Sequence, residues 1–425
     1  MKFVNSIIYL CLVLLTVSCT FEEPNLFSET AANRIENAKK DYNNVLCSSS
    51  NGWVMDYFPN PTTEGYTFLV KFNTSGAAFI TGKNKYLSNK LTTDTCMFQL
   101  IADDGPVLTF NTYGKNGVLH LFANPVDPAG TSNLDGIGLG GDYEFIVIKA
   151  TATEVKLKGK KWGAYVYLHK LDDNQVWSQY FDLLDNMNNT LFANSKNILN
   201  LIVKTDTMPS YYGTTHIFKI IKNGQDPLVD GAYYPFIITT TGLRLYSSYN
   251  SNNTDFQTFV LSDDKQKLNC KEADGYLTGP NPEKYYMSST VTWNFLLTSP
   301  MGTKFDSIYQ KVVADCQSVF KLKLSNLYFK YNATTKFYNL QFKLGTIIGN
   351  FDYVRSDLGN NKVNFKYNGT ADKNGLNLIS KINSSQILVN FISQNYVISA
   401  DCGLNLSVLK LTAETDSTIS FYISL

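Results

Sequence analysis

Along this chain the spacing of apolar residues switches between two periods, and each switch marks an element. Ala31, Ile35, Ala38, Tyr42, Val45 and Leu46 recur mostly at steps of three and four, which gathers them on one stripe of an α-helix. Ser28 is the expected N-cap with Glu29 in the first turn, and the polar run from Ser48 to Gly52 ends the helix. Beyond Trp53 the period becomes two. Tyr66, Phe68, Val70 and Phe72 share one face of a strand that runs into Asn73-Thr74-Ser75-Gly76, a hairpin turn. Further strands are expected at 107–110, 118–122, 143–148, 154–158 and 165–168.

After Asp172-Asp173 a second helix is expected, with Val176, Trp177, Tyr180, Phe181, Leu184 and Leu191 largely on one side. Strands follow at 216–221, 234–240, 243–246, 322–331, 336–344 and 363–367, interrupted by a helix whose apolar face is Phe305, Ile308, Tyr309, Val312, Val313 and Cys316. Ile419, Phe421, Ile423 and Leu425 mark a last strand with one apolar face. The pattern predicts a mainly β protein with a few helices. Its expected organisation is two antiparallel β-rich domains, barrel-like or sandwich-like, over 27–171 and 172–425, each preceded by an amphipathic helix. The parallel between the halves hints at a diverged duplication.

The first residues follow neither period. Lys2, the apolar run from Ile7 to Leu15 and Thr16-Val17-Ser18-Cys19 form a secretory signal over 1–18. The run is too short for a helix to cross a hydrocarbon core about 30 Å thick. Cys19 at the cleavage point resembles the lipidation site of bacterial lipoproteins, with 19–26 as a lipidated tether. Several acyl chains on that thiol hold a protein durably to a bilayer, whereas one holds marginally.

Composition, 44% hydrophobic and 17% charged, suits a folded exoprotein. Lys and Arg number 37 against 36 Asp and Glu. Lys2 leaves with the signal, so the mature chain is formally neutral and has no electrostatic case for nucleic acid. Lys156, Lys158, Lys160 and Lys161 read as a solvated strand face, with an acidic ligand or headgroup as the functional alternative. Cys47, Cys96, Cys270, Cys316 and Cys402 lack CxxC spacing. At most two disulfides could join them, and buried free thiols are expected.

HExxH, GxSxG and GxxxxGK[ST] are absent. His120, His169 and His216 lie in strand-like surroundings without metal-ligand spacing, and read as strand residues. Gly136-Ile137-Gly138-Leu139-Gly140-Gly141 precedes a strand, where a dinucleotide loop needs a helix; a glycine-rich loop or bulge is expected. Asp127, Asp135, Asp142 and Glu144 gather around it and are weak calcium candidates, since calcium takes clustered oxygen ligands. No cofactor is expected.

Aromatic residues make up 14% of the chain, and rings bordered by Asn and Asp suit sugar binding. Trp53, Tyr57, Tyr113, Trp162 and Tyr165, near turns of the first domain, are the ligand-binding candidates, although tyrosine and tryptophan also favour strand cores. Phe27, Arg34, Asn51-Gly52-Trp53, Gly65-Tyr66, Asp104-Gly105-Pro106-Val107-Leu108-Thr109-Phe110, His120, Pro125, Gly140-Gly141-Asp142-Tyr143-Glu144-Phe145 and Lys158-Gly159-Lys160 together resemble the Bacteroidota lipoproteins grouped as domain of unknown function 4302, through about residue 171. Thr20-Phe21-Glu22-Glu23 similarly resembles the signal that sends some of those lipoproteins to the outer face of the outer membrane. The resemblance implies no catalytic residues. It implies a surface-exposed accessory of an outer-membrane nutrient importer, its partners the bilayer through Cys19, the importer, and a carbohydrate or other small ligand. The expectation is non-catalytic binding of a glycan, peptide or cofactor; the alternatives are an extracellular hydrolase and an adhesin or structural accessory.

Overall fold

A computed structural model of the chain describes residues 29–103, 105–123, 138–192, 199–211, 215–222, 224–226, 231–280, 292–404 and 406–424. The expected signal, Cys19, Ser28, Asp127 and Asp135 lie outside the described residues. Alternating strands need partners for every edge, and here each set of eight finds them by closing on itself. Three antiparallel barrels follow one another in the chain, each an up-and-down meander. The first runs from β1 (Trp53–Tyr57) to β8 (Tyr165–Lys170) and closes with Trp53 opposite Lys170. The second runs from β9 (Leu199–Val203) to β16 (Gly275–Thr278), closing with Val203 opposite Gly275. The third runs from β17 (Thr292–Phe295) to β24 (Ser420–Ser424), closing with Phe295 opposite Ile423.

The expectation of two β-rich domains is therefore corrected to three barrels, because 172–425 holds two. Periodicity marks strands but not which strand closes on which. The helix expected around Phe305, α3 (Thr303–Phe320), sits inside the third barrel's sequence, after β17 rather than before it. The first two barrels are each preceded by a helix, α1 (Ala31–Cys47) and α2 (Trp177–Phe192). Two further helices, α4 (Lys373–Lys381) and α5 (Asn383–Ile392), had no counterpart in the sequence reading.

The interiors are filled. In the first barrel Trp53, Met55, Tyr57, Phe68, Val70, Phe110 and Phe145 pack together, and Leu46 of α1 joins them at one end. Trp53 Nε1 donates to Leu46 O at 2.8 Å, fixing the seat of the helix. α1 starts at Ala31 because Thr30 Oγ1 accepts from Asn33 N at 3.3 Å, so Thr30 and not Ser28 is the N-cap. Residues 118–122 form no strand. Val118, Leu119 and Phe122 are buried around a 3-10 turn, His120–Phe122, that lies over the core, and Asp94 Oδ2 holds its approach through Asn116 N at 3.1 Å. Apolar residues at 118, 119, 121 and 122 crowd one side of a turn better than they alternate on a strand.

Neighbouring barrels are joined by side chains that leave their own unit. Phe181 of α2 packs on Val54, Leu69 and Leu171 outside the first barrel, whereas Leu191, ten residues on in the same helix, enters the core of the second. Leu404 of the third barrel also enters that core, beside Gly403, whose N–H donates to Lys265 O at 3.0 Å. Cys47, Cys96, Cys270, Cys316 and Cys402 are free thiols, Cys96 and Cys316 buried.

Candidate functional site in the cleft between the first two barrels

The described barrel interiors are packed with apolar side chains, and interfaces between folded units are a common place for small-molecule sites. The loop between β1 and β2 (Tyr66–Phe72) carries Glu64 into the junction. Gly65 N donates to Phe236 O of β12 (Ala232–Thr239) at 3.1 Å. A Cβ at residue 65 would stand 2.7 Å from Ile237 Cβ, so the approach requires glycine. Glu64, 8% exposed, is gripped from three sides. Its Oε1 accepts from Lys85 Nζ at 2.7 Å and Tyr66 OH at 2.9 Å, and its Oε2 from His216 N at 3.0 Å.

These donors decide the charge. Burial pushes the Glu64 carboxyl up, but Lys85 and the His216 backbone N–H outweigh it and hold the group below its ordinary value, so it is ionised at neutral pH. Burial pushes the His216 imidazole down, and the nearby carboxylate does not offset this. His216 Nε2 lies 3.0 Å from Asn188 Oδ1. Around this polar group stand Phe181 and Leu184 of α2 with Ile237 and Ile238 of β12, and a Lys83–Asp185 ion pair joins the first barrel to α2. The cleft encloses about 240 Å³.

Beside it the junction is held by a buried ion pair. Arg244 of β13 (Gly242–Ser251) donates to Asp56 Oδ2 of β1 through Nη2 at 2.7 Å and Nε at 3.2 Å, and lies 4.7 Å from the Tyr167 ring centroid. His169 Nε2 stands 3.5 Å from the same carboxylate oxygen. Phe58, Ala164, Ile237 and Tyr246 complete an apolar seam. The walls of the cleft are thus fixed relative to one another. Each Glu64 oxygen accepts at least one hydrogen bond and the carboxyl is held below its ordinary value, so it stands in the cleft as a fixed negative charge.

None of the five aromatic candidates lines this cleft. Trp53 and Tyr57 are core residues, a correction to their selection. Their rings are wholly buried and their polar tips satisfied, Tyr57 OH donating to Asp142 O at 3.1 Å. Tyr113 is exposed, its ring 5.0 Å from that of His120. Trp162 lies under Lys161, and Tyr165 under Lys156 at 4.4 Å. Asp142 accepts from Lys161 N at 2.8 Å and Trp162 N at 2.9 Å, capping a turn, and Glu144 pairs with Lys160. Among the described residues no group of three or more His, Cys, Asp or Glu side chains could hold a metal ion. Gly141 of the glycine-rich loop is needed where a Cβ would stand 2.1 Å from Tyr57 OH. Sequence reasoning missed Glu64 altogether and passed over His216 as a strand residue. They lie 152 residues apart, and no local signal joins them.

Three successive meander barrels, two of them clasped around a cleft, define the class of this chain. It belongs to the family described as Domain of unknown function (DUF4302), whose profile matches residues 23–263, from ahead of α1 to just past β14 (Thr254–Leu261) in the second barrel. No curated protein matches. Among solved structures the chain is similar to the DNA polymerase III beta chain from Streptococcus pneumoniae TIGR4, at 10% identity over 91% of this chain and 97% of that one, TM-score 0.15. It is also similar to the beta subunit from Thermotoga maritima, at 8% identity over 91% and 96%, TM-score 0.16. The Helicobacter pylori beta clamp bound to DNA ligase peptide gives 11% identity over 92% and 97%, TM-score 0.13. At such scores these likenesses carry no argument.

Proposed function

We propose that this chain is a cell-surface lipoprotein of the outer membrane, lipidated on Cys19, that binds a small amphipathic nutrient without turning it over and serves an outer-membrane import system. The reading rests on one observation, the cleft of about 240 Å³ in which Phe181, Leu184, Ile237 and Ile238 share the lining with Asn84, Asn188, His216 and the ionised, triply held Glu64. Such a lining accepts a ligand with an apolar body and a polar end. The signal at 1–18 and Cys19 support the membrane address.

Two measurements test it. In protease shaving of intact cells the native protein should be cell-bound and cleaved, and a Cys19→Ala variant released; a protected native protein would place it in the periplasm, and release of both forms would remove the anchor. In a thermal-shift screen of amino acids, dipeptides, vitamins and short saccharides, a cleft ligand should raise Tm by mass action, and Asn188→Trp, which fills the cleft, should abolish the shift. A ligand recovered chemically altered, or a shift that survives Asn188→Trp, would overturn non-catalytic binding in the cleft.

A further inference from the structure

The third barrel carries on its outer face a concavity of about 570 Å³ whose chemistry differs from that of the cleft. It lies on β19 (Tyr338–Leu344) and β20 (Ile347–Gly359), between residues 331–335 and the start of α4. Strand alternation buries Leu340, Phe342 and Phe351 in the core and turns Asn339, Gln341, Asn350 and Asp352 outward. The register sets Asn339 opposite Asp352 and Gln341 opposite Asn350. A register shift between β20 and β21 (Lys362–Ala371) falls at Phe351 to Tyr353, and there Thr370 Oγ1 donates to Asp352 Oδ2 at 2.8 Å.

The polar side chains hold one another in fixed orientations. Asn339 Nδ2 donates to Asp352 Oδ1 and Gln341 Nε2 to Asn350 Oδ1. Asn350 Nδ2 donates to Asp372 Oδ2 at 2.6 Å, and Asp372 Oδ1 is in turn fixed by Gly375 N at 2.7 Å, as the cap of α4. Asn339 is only 6% exposed although it faces outward. Each amide uses one of its two N–H groups in these bonds, and Asn339 Oδ1 and Gln341 Oε1 accept no hydrogen bond among the described residues. The groove thus presents a row of oriented acceptors and spare N–H donors across neighbouring strands, roughly 4.8 Å apart.

We infer that this groove is a binding site for a neutral saccharide chain, separate from the cleft. A hydroxyl both donates and accepts, so a row of sugar hydroxyls meets both carboxylate and amide valences, and prearranged groups bind at a lower ordering cost. Asp352 and Asp372 against Lys330 leave the lining net negative, which disfavours uronates and phosphates. Tyr331 closes one end of the lining, its ring 5.2 Å from that of Tyr338. An extended peptide needs pockets for alternate side chains, and this floor is amide and carboxylate throughout.

Calorimetric titration of the full mature chain with gluco-, manno-, xylo- and galacto-hexasaccharides, a galacturonate hexamer and calcium chloride tests the inference. At least one neutral hexasaccharide should bind with the same affinity in EDTA, at least tenfold more weakly in Gln341→Ala and in the isosteric Asp352→Asn, each of unchanged thermal midpoint. Asn188→Trp, which closes the cleft, should leave that affinity as in the native chain, so failure of the cleft reading and failure of this one are told apart. No binding of any neutral probe, affinity indifferent to both groove variants, preference for galacturonate, or calcium as the one species bound would each overturn it.

Discussion

Asp56 and Arg244 meet across the barrel junction with both side chains almost wholly out of water. Removing one partner of such a pair strands the other charge, at a cost of about 3 kcal/mol, so Asp56→Asn should lower stability by that order in urea titration. The pH dependence has a definite sign. Burial pushes the Asp56 carboxyl up, but Arg244 and His169 outweigh it and its folded pKa lies below the ordinary value. Its contribution is therefore complete above the unfolded carboxylate pKa, roughly 4, and disappears as pH falls through the lower folded value. Glu64 follows the same rule. His216, depressed in the fold, likewise adds stability above its unfolded pKa of about 6.5 that is lost on acidification. The urea midpoint should thus fall from about pH 6 downward and steepen below about pH 4. The Asp56→Asn penalty should shrink in that last range, and a penalty independent of pH there would refute the assignment.

α2 could be read from its 3.6-residue period, but its double role could not. The stripe holding Phe181 and Leu191 looks continuous in sequence, yet Phe181 seals the junction and Leu191 the second barrel. Truncating either should cost roughly 3 kcal/mol through lost burial and a cavity. Hydrogen exchange should separate them: Phe181→Ala should expose amides of β1 and β12, whereas Leu191→Ala should raise exchange in β9 and β16. Identical exchange maps would show that the helix acts as one unit. At 118–122 an apolar run suggested a strand because hydrophobicity alone does not distinguish a strand from a buried turn; the Asp94 hydrogen bonds that hold it come from 22 and 24 residues away.

Across the whole molecule, the first two barrels meet backbone to backbone at Gly65, whose N–H donates to Phe236 O. Gly65→Val should force Ile237 away, loosen both ion pairs and open the cleft. Small-angle scattering should then give a larger radius of gyration, with cleft binding lost while each barrel keeps its strand signal in circular dichroism. An unchanged radius with retained binding would mean that the junction accommodates a side chain there. Closure of each sheet also leaves the described strands without an open edge, so assembly by strand addition has no template in them.

Local patterning specified the mainly β class, α1, α2, α3 and most strands of the first barrel, because period and turn chemistry are properties of neighbouring residues. It offered Trp53 and Tyr57 as ligand-binding candidates, and the fold makes both of them core residues. Tertiary structure alone decided that eight strands close three times, that the barrels are filled, and that Glu64 meets His216 while Asp56 meets Arg244. The closing pairs Trp53 with Lys170, Val203 with Gly275 and Phe295 with Ile423 join residues 72 to 128 positions apart, and the two junction pairs lie 152 and 188 apart. These approaches are set by the packing of whole barrels and leave no periodic trace in the chain.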